Sequence, residues 1–482
     1  MNSLQAFSLS GAALLCVVAA AVSVPHERFP AAGAFADSAE AAVANRFAQA
    51  AKGAAAQLAR DGGALWGVRL DTGAVWAGVR GQKMFLTADP RMPDYERAGP
   101  ALWAGPLPPG VAPANTSLRW AGRRWAMVIL PVPDDPTRAS RLLVHEAMHA
   151  AQPAVLPSPS YAEGGAGADL LDGPEGRTWL LLEMRALTRA VASSGAARRR
   201  AAEDALTFRA RRYAAALPQE RERERALDVS EGLPEYTAWR LTRGTAAELA
   251  ASIRAGSGSD RSWVRSFPYQ TGPAYGVLLD ALAGDGWRRQ ARDTARRESL
   301  DLQRLLAASL GAPAAGRLDA WLCAAGDSAA LARSAERAGR DYGLEEVRAA
   351  EDARWADRER TIAELRARFV DDPTLRLRPG GGVSVSFDPG RQTPLGAAGT
   401  VMGGLIWKGE DGAELLAPNG ALVAAAWNEL RIPLPDSAAG PPLAEGPLPD
   451  RRSWKGAGGW SLTLPAGWRL TRDSAGWVAR PR

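Results

Sequence analysis

The stretch Arg141–Gln152, RLLVHEAMHAAQ, contains the pattern HExxH and decides how the rest of the chain is interpreted. Asp135 and Pro136 precede it as a helix N-cap and a first-turn residue, and Pro153 follows it as a stop signal. These signals predict a helix of about four turns. Residues four apart on a helix lie on one face, so the two histidines of the pattern are expected to point the same way.

His145 and His149 are these two histidines, and at this spacing both imidazoles can bind a single metal ion. The pattern predicts zinc, at one ion per chain. Glu146 lies beside the pair without being a ligand, where its carboxylate can take a proton from an attacking water molecule. The alternative is an ordinary amphipathic helix that carries two core or surface histidines.

A zinc site with two histidines needs a third protein ligand. The only other histidine of the chain, His26, lies beside the expected signal-cleavage site, so a carboxylate must complete the site. Two downstream segments of helical composition supply one. They are Thr178–Leu187, which contains Glu183, and Ser230–Trp239, which contains Glu231.

Glu231 is the favoured third ligand. Glu235 follows it by one helical turn, so a ligand and a carboxylate that accepts a hydrogen bond from a ligand imidazole can share one helix face. Glu183 is the alternative ligand, because a buried carboxylate in an apolar helix must find a cation. Arg185 or Arg189 can satisfy that need without a metal.

Three segments resemble the gluzincin zinc metallopeptidases, closest in motif order to the gluzincin aminopeptidases. Ser230–Trp239, SEGLPEYTAW, is similar to the NEGxAxY-type helix that supplies the glutamate ligand in that family. Arg124–Leu130, RWAMVIL, resembles the edge strand of the family's active-site sheet. Phe267–Asp280 resembles the helix start whose tyrosine assists peptide hydrolysis. The resemblance covers residues 118–282.

This resemblance implies a zinc-dependent peptidase that hydrolyses peptide or protein substrates with zinc-activated water and a glutamate base. It also implies a zincin-like core, a mixed sheet with a helical subdomain. Glu231 would be the third zinc ligand, and Tyr269 would donate a hydrogen bond to the oxyanion of the substrate. The competing tyrosines are Tyr275, Tyr236 and Tyr161.

The wider sequence predicts an α+β fold with the zincin-like core followed by a β-rich C-terminal domain. Residues 24–130 are expected to be a mixed α/β region that includes the active-site edge strand. Residues 131–367 are dominated by helical stretches and form the expected catalytic domain. Residues 368–482 carry short β-rich runs between Gly/Pro turns, which predicts a separate β-rich module.

More detailed expectations apply within the first two regions. A helix is predicted over 31–60, and strand character is predicted at 64–70, 73–79 and 117–130. The interval between His149 and Glu231 is longer than in the aminopeptidases that the chain resembles, so the resemblance implies a helical insertion here.

Residues 1–23 are expected to be a signal peptide, because the apolar run Leu9–Val24 is too short and too rich in alanine for a membrane span. Export to the periplasm or the exterior is therefore predicted, with no stable membrane span after cleavage. The alternative is an uncleaved N-terminal anchor or a buried helix. The cysteines are Cys16 and Cys323, so no disulfide framework is expected in the mature chain.

The 482 residues are 46% hydrophobic and 23% charged, which excludes a wholly disordered chain. The 59 basic and 53 acidic residues are mixed along the sequence, without the concentrated basic face of a nucleic-acid-binding protein. No nucleic-acid partner is therefore expected. The arginine-rich stretches Arg198–Arg200 and Arg221–Arg225 are interpreted as solvated helix faces, with a surface for an anionic substrate as the alternative.

Tryptophans of the C-terminal module have two interpretations, as core residues or as faces that stack on sugars of the cell envelope. They are Trp407, Trp427, Trp454, Trp460, Trp468 and Trp477. The sequence also leaves two other function classes open. One is a catalytically silent zinc protein with a cell-wall or carbohydrate-binding module, and the other is a metal-dependent amidohydrolase that acts on a non-peptide substrate.

Overall fold

The structure, a computed structural model, describes residues 38–70, 75–108, 111, 113–156, 170–257, 262–295, 300–322, 328–380, 383–388, 391–435, 442–456 and 458–481. The expected signal peptide, Tyr161 and Cys323 lie outside these residues. The fold is mixed α/β with a helical region and a β-rich C-terminal region, as predicted. The chain divides into two compact units. One contains the described residues from 38 to 106 and from 113 to 366, and the main part of the other is 367–482.

The first unit contains a six-stranded sheet. Its strands are β1 (Trp76–Arg80), β2 (Lys83–Leu86), β3 (Glu96–Gly99), β4 (Leu102–Pro106), β5 (Thr116–Trp120) and β6 (Arg123–Ile129). They lie in the order β3-β4-β2-β1-β6-β5. The pair β1 and β6 is parallel, and the other pairs are antiparallel.

Helices make up most of the first unit. They are α1 (Ser38–Asp61), α2 (Pro136–Val155), α3 (Pro174–Ala192), α4 (Gly195–Ala215), α5 (Pro218–Leu227), α6 (Leu233–Leu241), α7 (Ala246–Ser257), α8 (Pro268–Ala283), α9 (Gly286–Ala295), α10 (Leu302–Leu310), α11 (Ala312–Leu322), α12 (Ser328–Arg340) and α13 (Leu344–Arg366). A 3₁₀ turn covers Leu170–Asp172, and a π-helical turn, Asp228–Gly232, joins α5 to α6. Helices α3, α4 and α5 fill the interval between the HExxH helix and Glu231.

The strand predicted at 64–70 is wrong, because this segment forms turns. The Asp61 carboxylate accepts hydrogen bonds from the backbone N–H groups of Gly63 and Leu65, which closes a turn directly after α1. Gly67, inside the segment, also adopts φ +67°, a conformation that favours glycine and interrupts an extended strand. The apolar residues of the segment are nevertheless buried. Trp66 is 1% exposed and donates its indole N–H to Thr237 Oγ1 at 2.9 Å.

The strand predicted at 117–130 is two strands, β5 and β6. Ala121 and Gly122 have φ values of 48° and 73°, the positive angles of a tight hairpin turn, so the segment folds back on itself. The edge position therefore belongs to β5. The segment that resembles an edge strand, Arg124–Leu130, lies mainly in β6, the second strand from the edge.

The C-terminal unit contains two sheets. Its strands are β7 (Thr374–Leu377), β8 (Val383–Ser386), β9 (Gln392–Pro394), β10 (Thr400–Met402), β11 (Leu405–Gly409), β12 (Glu414–Ala417), β13 (Ala421–Val423), β14 (Leu430–Pro433), β15 (Gly446–Pro447), β16 (Arg452–Gly456), β17 (Trp460–Leu464), β18 (Arg469–Asp473) and β19 (Gly476–Arg480). The larger sheet has the order β15-β18-β19-β7-β14-β13-β10-β9, and the smaller has β16-β17-β12-β11-β8. One hydrophobic cluster contains residues of both sheets.

Four of the six tryptophans in this unit are core residues. Trp407, Trp454, Trp460 and Trp468 are at most 2% exposed, in agreement with the core interpretation. Trp427 is 41% exposed.

Among the helices of the described residues, none combines the length and the apolar composition needed to cross a membrane.

Candidate metal centre

Helix α2 presents the HExxH pattern. The Asp135 side chain caps its first turn by accepting a hydrogen bond from Arg138 N at 2.7 Å, as the N-cap prediction requires. The helix continues past Pro153 and ends at Val155, so the predicted stop is two residues early. Pro153 has no N–H to donate, but the last turn still closes, because Leu156 N donates to the carbonyl of Gln152.

The structure brings His145, His149 and Glu231 together. One ligand atom from each of the three lies within 4.8 Å of the other two. The two Nε2 atoms are 2.9 Å apart, and Glu231 Oε2 is 3.7 Å from His145 Nε2 and 3.4 Å from His149 Nε2. Two imidazoles and one carboxylate are a donor set suited to zinc.

Glu231 lies on the π-helical turn between α5 and α6. In this turn Leu233 N donates to the carbonyl of Asp228, five residues earlier. Pro234 follows directly and has no N–H, so an uninterrupted α-helical ladder cannot pass through this point. Single π turns inside helical segments are frequent at functional sites. This one places Glu231 opposite the HExxH helix.

Each histidine has a hydrogen-bond partner on the ring nitrogen that faces away from the other histidine. Glu235 Oε2 is 2.8 Å from His145 Nδ1, the contact predicted for a carboxylate behind a ligand. Gln152 Oε1 is 3.2 Å from His149 Nδ1. With Nδ1 as donor in both rings, the Nε2 lone pairs point into the centre of the cluster.

Gln152 is a site residue that sequence reasoning missed. Its Nε2 donates to the carbonyl of Val229 at 2.8 Å, which fixes the amide orientation and directs Oε1 toward His149. The available signal was its position three residues after His149, on the same helix face.

Glu146 is buried next to the two histidines, with 3% exposure. Its Oε2 atom is buried and has no hydrogen-bond partner among the described residues. Burial raises the pKa of Glu146, although both imidazoles act in the opposite direction. A buried carboxylate oxygen without a partner is unusual, and it fits a group whose hydrogen-bond partner is a water molecule or a substrate.

The carboxylates around the cluster favour a positive charge at its centre. Burial lowers the pKa of His145, but hydrogen bonds to Glu231 and Glu235 outweigh it and raise that pKa to about 10. Burial raises the pKa of Glu231, but its hydrogen bonds to the two histidines outweigh this effect and hold the pKa well below its usual range. Both shifts favour a cation between these residues, which is what a metal site requires.

Tyr269 is the tyrosine that reaches the cluster. Its hydroxyl donates to Glu231 Oε2 at 2.6 Å, and its ring stacks on that of His145 with centroids 5.5 Å apart. Two of the competing tyrosines have other partners. The hydroxyl of Tyr275 donates to Glu183, and that of Tyr236 donates to Asp280.

Glu183, the alternative ligand, lies outside the cluster of His145, His149 and Glu231. It is completely buried, and it pairs with Arg209 at 2.7 Å and with Arg212 at 2.6 Å. A buried ion pair was expected for this residue, but with Arg185 or Arg189. The actual partners come from α4, more than twenty residues along the chain.

Comparison of the chain with known protein families, with curated proteins and with solved structures finds no match. No family is therefore assigned to it.

Proposed function

We propose that the protein is a zinc-dependent metallopeptidase of the gluzincin type with a zincin-like core. The observation that carries this proposal is the convergence of His145, His149 and Glu231 within 4.8 Å, beside the buried Glu146 carboxylate. The three ligand residues fit zinc because neutral imidazole nitrogen and carboxylate oxygen are its usual protein ligands. When bound, zinc would lower the pKa of a water molecule toward neutrality and polarise the substrate carbonyl.

Glu146 is the proposed general base. Its carboxylate takes a proton from the attacking water and later passes it to the departing amine. Burial supports both steps, because a raised pKa makes the protonated form of this group more accessible near neutral pH. The Oε2 atom without a protein partner is the oxygen available for this exchange.

Tyr269 is the proposed donor to the oxyanion of the substrate. Burial and the neighbouring Glu231 raise the pKa of this phenol far above its usual value, so it stays a neutral donor at physiological pH. The phenol donates to Glu231, and the proposed role requires it to turn from that carboxylate toward the substrate oxygen. Its 40% exposure leaves room for this movement.

Glu235 and Gln152 are proposed to orient the two ligand imidazoles. By accepting from Nδ1, they select the tautomer in which Nε2 is free to bind the metal.

A peptide or protein is the proposed substrate, and export remains the proposed localisation on the sequence evidence. Contact with the cell envelope through the C-terminal unit is also proposed, and Trp427 is the exposed tryptophan that can serve it.

The test is to measure metal content and hydrolysis on the purified mature protein. We expect about one zinc per chain, hydrolysis within a broad peptide library, and loss of activity with a chelator that added zinc reverses. Substoichiometric metal after growth with ample zinc would remove the central claim. Zinc without hydrolysis of any substrate would favour the silent zinc protein. Activity confined to non-peptide amides would favour the amidohydrolase.

A further inference from the structure

A buried cluster of charged side chains lies beside the π-helical turn that carries Glu231. It contains Glu183 from α3, Arg209 and Arg212 from α4, Glu224 from α5, and Asp228, the first residue of the turn. All five residues are at most 1% exposed. We call these five residues the charge cluster. Four of them come from the helices inserted between the HExxH helix and the turn.

Arg209 connects this cluster to the π turn. Its two Nη atoms donate to the carboxylate of Asp228, and its Nε donates to Glu183 Oε1 at 2.7 Å. Arg212 supports the same arrangement, with one Nη donating to Glu183 at 2.6 Å and the other to Glu224 at 2.7 Å. Two parallel bonds from a guanidinium fix direction as well as distance, so the Arg209 pair sets the orientation of Asp228.

Two consecutive residues of the π turn are therefore held, each by a side chain from a different helix. The Asp228 side chain is held by α4, and the carbonyl of Val229 accepts from Gln152 of α2. Glu231 follows within the same turn. A turn fixed at both points leaves little freedom for the direction of the Glu231 carboxylate.

The same cluster reaches the helix that carries Tyr269. The hydroxyl of Tyr275, on α8, donates to Glu183 Oε1 at 3.0 Å. The guanidinium of Arg209 lies over the Tyr275 ring, with Cζ 4.5 Å from the centroid. The pair Arg209 and Glu183 thus contacts the π turn that carries Glu231 and the helix that carries Tyr269.

We propose that Arg209, acting through Asp228, is a positioning residue for the zinc ligand Glu231. In this proposal helices α3, α4 and α5 hold the ligand in place. This inference rests on the proposed function insofar as Glu231 is taken as a zinc ligand. Outer partners that orient a metal ligand typically contribute roughly 10- to 100-fold in metal affinity. A cluster that only stabilises the fold would contribute nothing specific to zinc.

The chain offers a matched control for this distinction. Arg177 and Glu351 form another buried ion pair of the same unit, at 2.7 Å, and tie α3 to α13. Their side chains are 2% and 6% exposed. Arg209→Met and Arg177→Met both remove a buried guanidinium from a carboxylate pair, so both are expected to lower thermal stability.

The experiment measures zinc affinity by competition with a chelator, and coordination geometry by the visible absorption spectrum of the Co²⁺-loaded protein. Arg209→Met should lower zinc affinity about tenfold or more and change the Co²⁺ spectrum. Arg177→Met should keep zinc affinity within about twofold of the wild type. Arg209→Lys, which restores the charge without the forked geometry, should recover part of the affinity.

Equal zinc affinity in Arg209→Met and Arg177→Met would overturn the inference. If Arg209→Met does not fold, the same comparison is made with Asp228→Asn and Glu351→Gln, which keep side-chain shape, and equal affinity in that pair overturns it too. Failure of the wild type to bind zinc is a separate result, because it removes the proposed function itself.

Discussion

Gly272 of α8 packs directly against Gly232 of the π turn. A Cβ atom added to Gly272 would lie 2.2 Å from the Cα of Gly232 and 2.5 Å from its carbonyl oxygen. The two backbones can approach this closely because neither residue has a side chain. It brings the first turn of α8, which contains Tyr269, beside the turn that contains Glu231. The Tyr269 hydroxyl donates to Glu231 at 2.6 Å, and we expect this hydrogen bond to depend on the glycine contact.

Gly272→Ala should therefore destabilise the protein and separate Tyr269 from Glu231. The atoms that the new methyl group meets belong to the backbone, which cannot move aside as a side chain can. We expect a loss of about 1–3 kcal/mol in the free energy of unfolding. Urea denaturation measures this loss, and peptide hydrolysis should fall as well.

Gly316→Ala is the control for that variant. Gly316 lies inside helix α11, and a Cβ atom added there meets nothing within 4 Å. This change should be neutral or stabilise the protein by up to about 1 kcal/mol, because alanine favours the helix. If Gly272→Ala behaved like Gly316→Ala, the close contact would not constrain the site.

Glu146→Gln should keep zinc and abolish turnover. Glu146 is outside the set of three converging ligand atoms, so the metal has no need of its charge. An amide cannot take a proton from water, and the loss of a general base costs about 10²- to 10⁴-fold in kcat. Zinc content and peptide hydrolysis are measured on the same preparation. Loss of metal from this variant would show that the roles are wrongly assigned.

Part of this site was predictable because it depends on spacing along one helix. The four-residue interval between His145 and His149 fixes their common face whatever surrounds them. Glu235 was predictable for a similar reason, since it follows Glu231 by one helical turn. The structure brings all four of these residues together.

The remainder depends on contacts between elements that are distant in sequence. The partners of Glu183 are Arg209 and Arg212 because α4 packs against α3, whereas sequence proximity had suggested Arg185 or Arg189. The two suggested arginines instead bond backbone carbonyls of Tyr342 and Asp341. The strand predicted at 64–70 is wrong for a local reason. The turn that the Asp61 carboxylate closes and the positive φ of Gly67 prevent an extended conformation, although the apolar residues alternate.

Glu231→Gln and Glu183→Gln should separate the two candidate ligands. Glu231→Gln removes a charged ligand atom from the converging set, so zinc affinity should fall by more than roughly 100-fold. Glu183→Gln should keep zinc affinity within about tenfold, because Arg209 retains its pair with Asp228. It should instead lower stability by up to about 3–5 kcal/mol, since two buried guanidinium groups lose a shared carboxylate.

Chelator competition and urea denaturation on both variants measure these effects. The reverse pattern, with zinc lost at Glu183→Gln and kept at Glu231→Gln, would move the ligand to helix α3.

Tyr269→Phe should lower kcat about a hundredfold while KM changes little. The phenol is expected to act only once charge develops on the substrate oxygen, so ground-state binding does not depend on it. Tyr342→Phe is the control, because the Tyr342 hydroxyl donates to Asp204 at 2.9 Å. Steady-state kinetics on a peptide substrate measure both variants. An unchanged kcat in Tyr269→Phe would assign the oxyanion donor to another residue.

The pH dependence of stability should reveal the charge imbalance of the buried cluster, which holds three carboxylates and two guanidinium groups. Burial raises the pKa of Glu224 from 4.5 to about 6, although Arg212 and Arg209 act in the opposite direction. The folded protein therefore keeps a proton between about pH 4.5 and pH 6 that the unfolded chain has released. The stability that this proton contributes is fully present below about pH 4.5 and is lost as the pH rises through about 6.

Glu224→Gln removes this titration, so the stability of the variant relative to the wild type should increase by about 2 kcal/mol between pH 4.5 and pH 7. Urea denaturation at several pH values measures the difference. Glu345→Gln, which neutralises a carboxylate on a side chain that is 82% exposed, controls for the loss of one carboxylate from the chain. A relative stability that instead decreases over this interval would mean that the pair with Arg212 outweighs burial, and that Glu224 is charged in the folded protein throughout this pH range.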